Sequence, residues 1–303
     1  MERNLLNELK YQYKYGGSTI KLIFINIIIF LIINIISVFL SLIMNNESIF
    51  IDFFKHHISG LHTNLIDFIK HPWGLFISIF SHYDLMHLLF NMIFLYFSGK
   101  IFEQIFNSRR LIITYIIGGL TGGILEVIAH NIFPKLQIFN YPLIVGASGS
   151  IMAIFIATAF YRPNLKLNLF GVLPVRIILL AGIFITFDLL ALGKEDGTAH
   201  FAHLGGAIIG WISIKNINKP NNIINLSDNF WNKFIKLFKN RNTRLKIHKK
   251  HSKNKRFKTD EEYNLDNKNR QDKIDKILDK ISKSGYESLS KKEKDYLFKQ
   301  SNQ

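Results

Sequence analysis

The 303-residue chain contains no cysteine. That absence excludes disulfide bridges, thiolate metal sites, a cysteine nucleophile and S-palmitoylation. Acidic residues are also scarce: 22 Asp and Glu stand against 38 Lys and Arg, a formal net charge of +16. The imbalance is uneven. From Lys215 onward there are 24 basic and 11 acidic residues, whereas the first 214 positions hold 14 basic and 11 acidic ones. The apolar fraction, 48%, is ordinary for a soluble protein, so the distribution decides. A charge-poor block with long apolar runs excludes a single soluble domain. It points to a membrane block followed by a basic soluble tail.

A bilayer core takes ~20 apolar residues per helix. Six runs qualify, near 20–44, 84–104, 110–130, 146–161, 174–192 and 198–215. The first begins only at Ile20, is too long for a signal-peptide core and is followed by no small-residue cleavage site. It is expected to be a full span. It is almost pure Ile, Leu and Phe, as suits a helix bathed in lipid. The second, fourth and sixth carry Gly, Ser, His and Asn, and polar groups in a span face a bundle interior or a cavity.

Lys and Arg near the span ends alternate. Arg3, Lys10, Lys14 and Lys21 precede the first span, Lys100, Arg109 and Arg110 follow the second, and Arg162, Lys166 and Arg176 follow the fourth. The opposite loops are poorer in them, which predicts six spans with both ends in the cytoplasm. In the long first loop, 45–83, Phe50, Phe53, Phe54, Ile58, Leu61, Leu65, Phe68 and Ile69 recur at helical spacing. This predicts an amphipathic element in the membrane interface, with Trp73 as an anchor.

The organisation expected is a cytoplasmic N-terminus over 1–19, a membrane domain over 20–215, a basic flexible linker over 216–270 and a small helical hairpin over 271–303. Within the linker, Phe230–Phe238 has the pattern of a short amphipathic helix. In the hairpin, Ile274, Ile277, Leu278 and Ile281 form one stripe, Gly285 marks a break, and Ser290 with Glu293 forms a capping box. Such a hairpin is too small for a stable core of its own.

Three short motifs carry chemistry. Gly146-Ala147-Ser148-Gly149 opens the fourth span. A serine is a poor nucleophile unless a base takes its proton, and a helix N-terminus offers free backbone N–H groups to a developing oxyanion. The same small residues also suit plain helix packing. In the sixth span, His203, Gly206 and Gly210 fall on one face. The glycines let a partner helix approach closely and would bring the histidine near a serine on it. In the second span His87 and Asn91 lie at i and i+4, and a neutral Asn amide suits an oxyanion hole. Each pair could instead simply hydrogen-bond across the bundle. All three spans enter from the same side, so the motifs share a depth.

Together these motifs resemble the rhomboid intramembrane serine proteases over roughly residues 20–215. The match rests on Gly-x-Ser-Gly at 146–149, Ala-His-x-x-Gly-x-x-x-Gly at 202–210 and His-x-x-x-Asn at 87–91, with Gly99 and Glu103 at the inner end of the second span. The resemblance implies an all-α, polytopic six-helix bundle that cuts transmembrane segments with a Ser–His dyad. Ser148 would be the nucleophile and His203 the base. His87, Asn91 and the Ser148 N–H would form the oxyanion hole, with Gly146, Gly149, Gly206 and Gly210 as structural residues. The Trp-Arg pair that some members carry in the first loop is absent. The tail hairpin, centred on Lys280–Tyr286, looks like an appendage of certain bacterial rhomboids, which implies a bacterial inner membrane.

No carboxylate is placed by sequence to make a triad. Asp188 in the fifth span and Glu126 in the third could each supply a third member, but a dyad suffices if packing orients the imidazole. Two other readings remain: a catalytically silent member that binds transmembrane clients, and a metal-handling protein. Eleven histidines, among them His56, His57, His62, His71, His82 and His200, motivate the second, but their spacings repeat no ligand pattern. No metal or other cofactor is therefore expected. Partners are transmembrane substrates and membrane lipid. For the basic tail, anionic lipid, at ~1 kcal/mol per basic residue near the surface, is a simpler partner than nucleic acid.

Overall fold

The computed structural model describes residues 5–44, 49–138, 143–169, 171–194, 196–227, 229 and 260–301. The chain forms two compact units, Met1–Lys239 and Asn240–Gln303.

The first unit is a helical bundle. After α1 (Leu5–Tyr15) come six apolar helices: α2 (Gly17–Met44), α3 (Leu85–Ile105), α4 (Ser108–Ile132), α5 (Ser148–Tyr161), α6 (Ile177–Ala191) and α7 (His200–Ile214). Among the described residues three, in α2, α3 and α4, are long and apolar enough to cross a membrane unaided, and α5, α6 and α7 are shorter. At 1.5 Å per residue a 14- or 15-residue helix falls short of the ~30 Å hydrocarbon core. So the irregular backbone flanking these short helices must complete the crossing within the membrane. Irregular backbone is tolerated at that depth only where it is buried or lines a cavity. Large apolar side chains of α2 and α6, such as Ile32, Phe39, Leu42, Leu179 and Phe187, lie outside the bundle, exposed to what must be lipid. The fold is an all-α polytopic membrane protein.

At one end of the bundle Glu103 ties α3 to α2. Its carboxylate accepts from Ser18 N (2.6 Å), Thr19 N (3.1 Å) and Ser108 Oγ (2.5 Å). The first N–H groups of α2 have no acceptor within their own helix, so an anion there is favoured. Lys100 Nζ donates to Gly16 O at 2.6 Å, and a Cβ on Gly99 would press on Thr19, 2.7 Å away. The core of the bundle holds Leu95, Phe102, Leu111, Tyr115, Ile151 and Ile154, all nearly inaccessible. Tyr115 spends its hydroxyl there on Ile79 O (3.1 Å) and receives Asn26 Nδ2 (3.2 Å).

The centre is the α4–α5–α7 contact, where glycines let backbones touch. A Cβ on Gly118 would collide with that of Ala153, and one on Gly122 would lie 2.5 Å from Ala202 O. A Cβ on Gly206 would sit on Gly149 O, and one on Gly210 on Ala153 O.

The first loop is not one amphipathic helix. It is broken into a short helix Ile49–Phe54, a wide turn Lys55–Ser59, strand β1 (Leu61–His62) and short helices Leu65–Lys70 and Gly74–Ile77. β1 pairs antiparallel with β2 (Leu143–Ile144), clamping this loop to the segment that leads into α5. Gly60 and Gly74 permit the fold-back, since a Cβ on Gly74 would overlap Gly60 O. Trp73 is half-exposed and donates Nε1–H to His57 O at 2.9 Å. A second hairpin, β3 (Lys166–Leu169) and β4 (Leu173–Arg176), links α5 to α6 and takes up residues that hydropathy alone assigns to the fifth span.

Beyond α7, residues read from sequence as linker fold back onto the bundle. Asn222 Nδ2 donates to Ser213 O (2.7 Å) and Lys215 O (2.9 Å), satisfying carbonyls at the end of α7, and Ile217 and Ile224 are buried. Phe230–Phe238 lies outside the described residues. In the second unit α8 (Asp260–Ser284) begins ahead of residue 271, and α9 (Lys291–Ser301) follows the turn at Gly285, where φ is +77°. Ser290 N and Oγ both donate to Glu293 Oε2 at 2.7 Å. These bonds, aided by Lys280, hold the Glu293 carboxyl down to about 2.

Candidate active site

A cavity of about 600 Å³ opens where α3, α5 and α7 begin. Its walls include Ser148, His203, His87 and Asn91, so all four chemically suggestive residues meet in one space.

Ser148 is the first residue of α5, half-buried, on a helix start whose leading amides have no intrahelical acceptor. The turn before it depends on Gly146, at φ +123°, which packs against the His87 ring. A Cβ there would stand 2.7 Å from His87 Cε1, so Gly146 is required by both conformation and space. His87 is held by its own helix cap: Asp84 Oδ1 accepts from His87 N at 2.7 Å. Asn91 is buried one turn deeper.

His82, treated in the sequence only as one more loop histidine, organises this wall. It is wholly inaccessible, and its Nε2 lies 3.1 Å from Asn91 Nδ2 and 3.4 Å from Ala147 N. Both partners are donors, so Nε2 must be the unprotonated nitrogen. Burial, reinforced by the neighbouring His87, pushes its pKa down to about 3, keeping the ring neutral. One Asn91 N–H is thereby fixed and the other is left for the cavity.

Of the two carboxylates that the sequence offers as a third member, one reaches His203. Asp188, buried on α6, places Oδ1 2.8 Å from His203 Nδ1. The sequence separates the two by a loop and leaves the rotation of α6 undetermined. A lone acid in an otherwise apolar span was the available signal, because such a group seeks a partner. Glu126, the other carboxylate considered, serves α7 differently: Oε2 accepts from Ala202 N at 2.8 Å, and His130 Nδ1 lies 3.2 Å from Oε1. It anchors the N-terminus of the helix that carries His203.

His200 joins the same cluster. Its Nδ1 is also 2.8 Å from Asp188 Oδ1, and its Nε2 is 3.0 Å from Asp196 Oδ2. Asp188, His200 and His203 thus offer atoms within 4.8 Å of one another, a grouping that sequence spacing hides. Hydrogen bonds converging on one carboxylate oxygen account for the arrangement. The Asp196 carboxyl is held below its usual range: the rise from burial is outweighed by bonds from Thr198 N and His200.

Comparison with known proteins gives this arrangement a family. Residues 70–217 match the rhomboid domain. That stretch of the chain is a rhomboid domain. Its relatives include "RHOMBOID-like protein 12, mitochondrial" of Arabidopsis thaliana, 33% identical over 58% of this chain and 52% of that protein. "Rhomboid protease AarA" of Providencia stuartii is 28% identical over 50% of the chain and 58% of its own length. "Rhomboid protease GlpG" of Salmonella newport is 28% identical over 46% of each. The chain thus spans about half the length of the curated rhomboids it matches. Residues 258–303 match a family of unknown function (DUF6576).

Proposed function

We propose that this rhomboid is an intramembrane serine endopeptidase that cleaves transmembrane segments, with Ser148 as nucleophile and His203 as general base. The observation that carries the proposal is the meeting of Ser148 and His203 in one cavity, on helices whose backbones touch at Gly149 and Gly206. Ser148 Oγ attacks the scissile carbonyl while its proton passes to His203 Nε2. The Asn91 amide, the Ser148 N–H and His87 stabilise the oxyanion. His203 then protonates the leaving nitrogen as the C–N bond breaks, and water releases the acyl group by the same steps in reverse. In this reading residues 20–215 are the catalytic domain, both termini face the cytoplasm of a bacterial cell, and the cavity opens on the far side of the inner membrane.

Cavity depth sets where the cut falls. The four residues lie near the starts of α3, α5 and α7, so the scissile bond should lie near the outer end of the substrate span, where small or helix-breaking residues let it unwind. A single-span reporter in proteoliposomes, with product termini mapped by mass spectrometry, tests this. A cut near the cytoplasmic end overturns the assignment of site or orientation.

The oxyanion role is separable from stability. Asn91→Ala should lower kcat by ~10²-fold, the scale of one lost oxyanion donor. His82→Phe, which removes the acceptor that fixes the amide, should lower kcat less and the melting temperature more. Measuring both on one purified sample checks the distinction; an Asn91→Ala loss that merely follows melting temperature contradicts it.

A further inference from the structure

We propose that Asp188 is a positioning residue for His203, making the catalytic unit a Ser148–His203–Asp188 triad in which His200 and Asp196 hold the carboxylate in place. The inference rests on the protease reading and adds a member to it.

A carboxylate oxygen only accepts, so the 2.8 Å contact with Asp188 Oδ1 puts the proton of His203 on Nδ1. That choice leaves the Nε2 lone pair free to take a proton, which is the tautomer a base for Ser148 requires. When the Ser148 Oγ–C bond forms and the serine proton moves to Nε2, His203 becomes a cation. The Asp188 charge then lies one hydrogen bond away, and it weakens as the proton passes on to the leaving nitrogen. The interaction is thus strongest when the barrier is crossed.

Charge bookkeeping gives His200 its part. Its two nitrogens face carboxylates on both sides, Asp188 at 2.8 Å and Asp196 at 3.0 Å, an arrangement that only the doubly protonated ring satisfies. The cluster at rest then holds two negative charges and one positive. One negative charge is left for the His203 imidazolium. The second bond to Asp188 Oδ1 also stops the carboxylate from rotating away. The other titratable groups near His203 are His87 from α3 and Glu126 from α4, the latter engaged at Ala202 N. Neither contributes a carboxylate bond to the imidazole among the hydrogen bonds of the described residues.

The test compares wild type, Asp188→Asn and Asp188→Glu as full chains in proteoliposomes. It follows reporter cleavage, labelling of Ser148 by a fluorophosphonate, and melting temperature. Asp188→Asn keeps the shape and loses the charge. It should lower kcat by at least ~10²-fold, towards the ~10⁴-fold seen when a serine-protease triad loses its carboxylate charge, with KM nearly unchanged. Asp188→Glu keeps the charge and should recover part of the rate. Wild-type cleavage with Asp188→Asn within ~3-fold of it overturns the triad alone. So does equal loss in both variants in step with melting temperature. A wild-type chain that neither cleaves nor labels overturns the protease reading, and the triad with it.

Discussion

Ser148→Ala and His203→Ala should each reduce reporter cleavage to background, and the double substitution should fall no further. Nucleophile and base act as one unit, so removing either removes the covalent route. The expected loss is on the order of 10⁶-fold in kcat, with only the oxyanion donors and substrate binding left to assist water. Neither change should unfold the protein. Ser148 is half-buried at the first position of α5, where alanine is a good helix former. Removing the His203 ring leaves Asp188 with its second bond, from His200. Fluorophosphonate labelling should fail in both variants, while chromatographic behaviour and melting temperature stay close to wild type. Cleavage retained by the Ser148→Ala protein ends the protease reading. Binding of the reporter without any cleavage by wild type points instead to a silent member of the family.

Much of this framework is readable from sequence because hydrocarbon imposes it. Six apolar runs become six helices, each within a few residues of its expected ends, since a span must be apolar along its length. The pairing of α5 with α7 is legible as well. Glycines at 206 and 210, on the same face as His203, have few uses in a membrane helix other than close approach. What sequence does not carry is rotation and loop path. Asp188 meets His203 only because α6 turns inward the face that also carries Ile177 and Ala181, and an otherwise largely apolar helix gives no pattern from which to read that turn. His82 looks like its loop neighbours until Asn91 and Ala147 N are seen to converge on its Nε2. The first loop misleads for a related reason. Its apolar spacing is helical, but Gly60 and Gly74 allow a fold-back that long-range pairing with Leu143–Ile144 then fixes. Tertiary contact overrides local period there.

Replacing Gly206 with Leu should abolish activity while leaving the chain in the membrane. The Cβ alone would occupy the position of Gly149 O and lie 2.9 Å from Gly149 C, and a backbone carbonyl cannot swing aside as a side chain can. The helices must therefore separate. Overpacking of this kind costs ~1–3 kcal/mol in ordinary cores, which a bundle with intact α4 contacts can survive. The functional cost is larger because of where the wedge lands. Gly149 follows the nucleophile directly, and Gly206 lies one turn from His203, so any separation is transmitted to the distance between Ser148 and the imidazole. A misplacement of 1 Å is enough for ~10²-fold, and a leucine side chain demands more than that. Ile208, on the same helix but about half exposed, gives the control: Ile208→Ala changes a face turned away from α5 and should cost little activity. The variants can be compared by reporter cleavage at equal membrane content. A Gly206→Leu chain that cleaves as well as Ile208→Ala would mean that the α5–α7 contact does not set the geometry of the reacting pair.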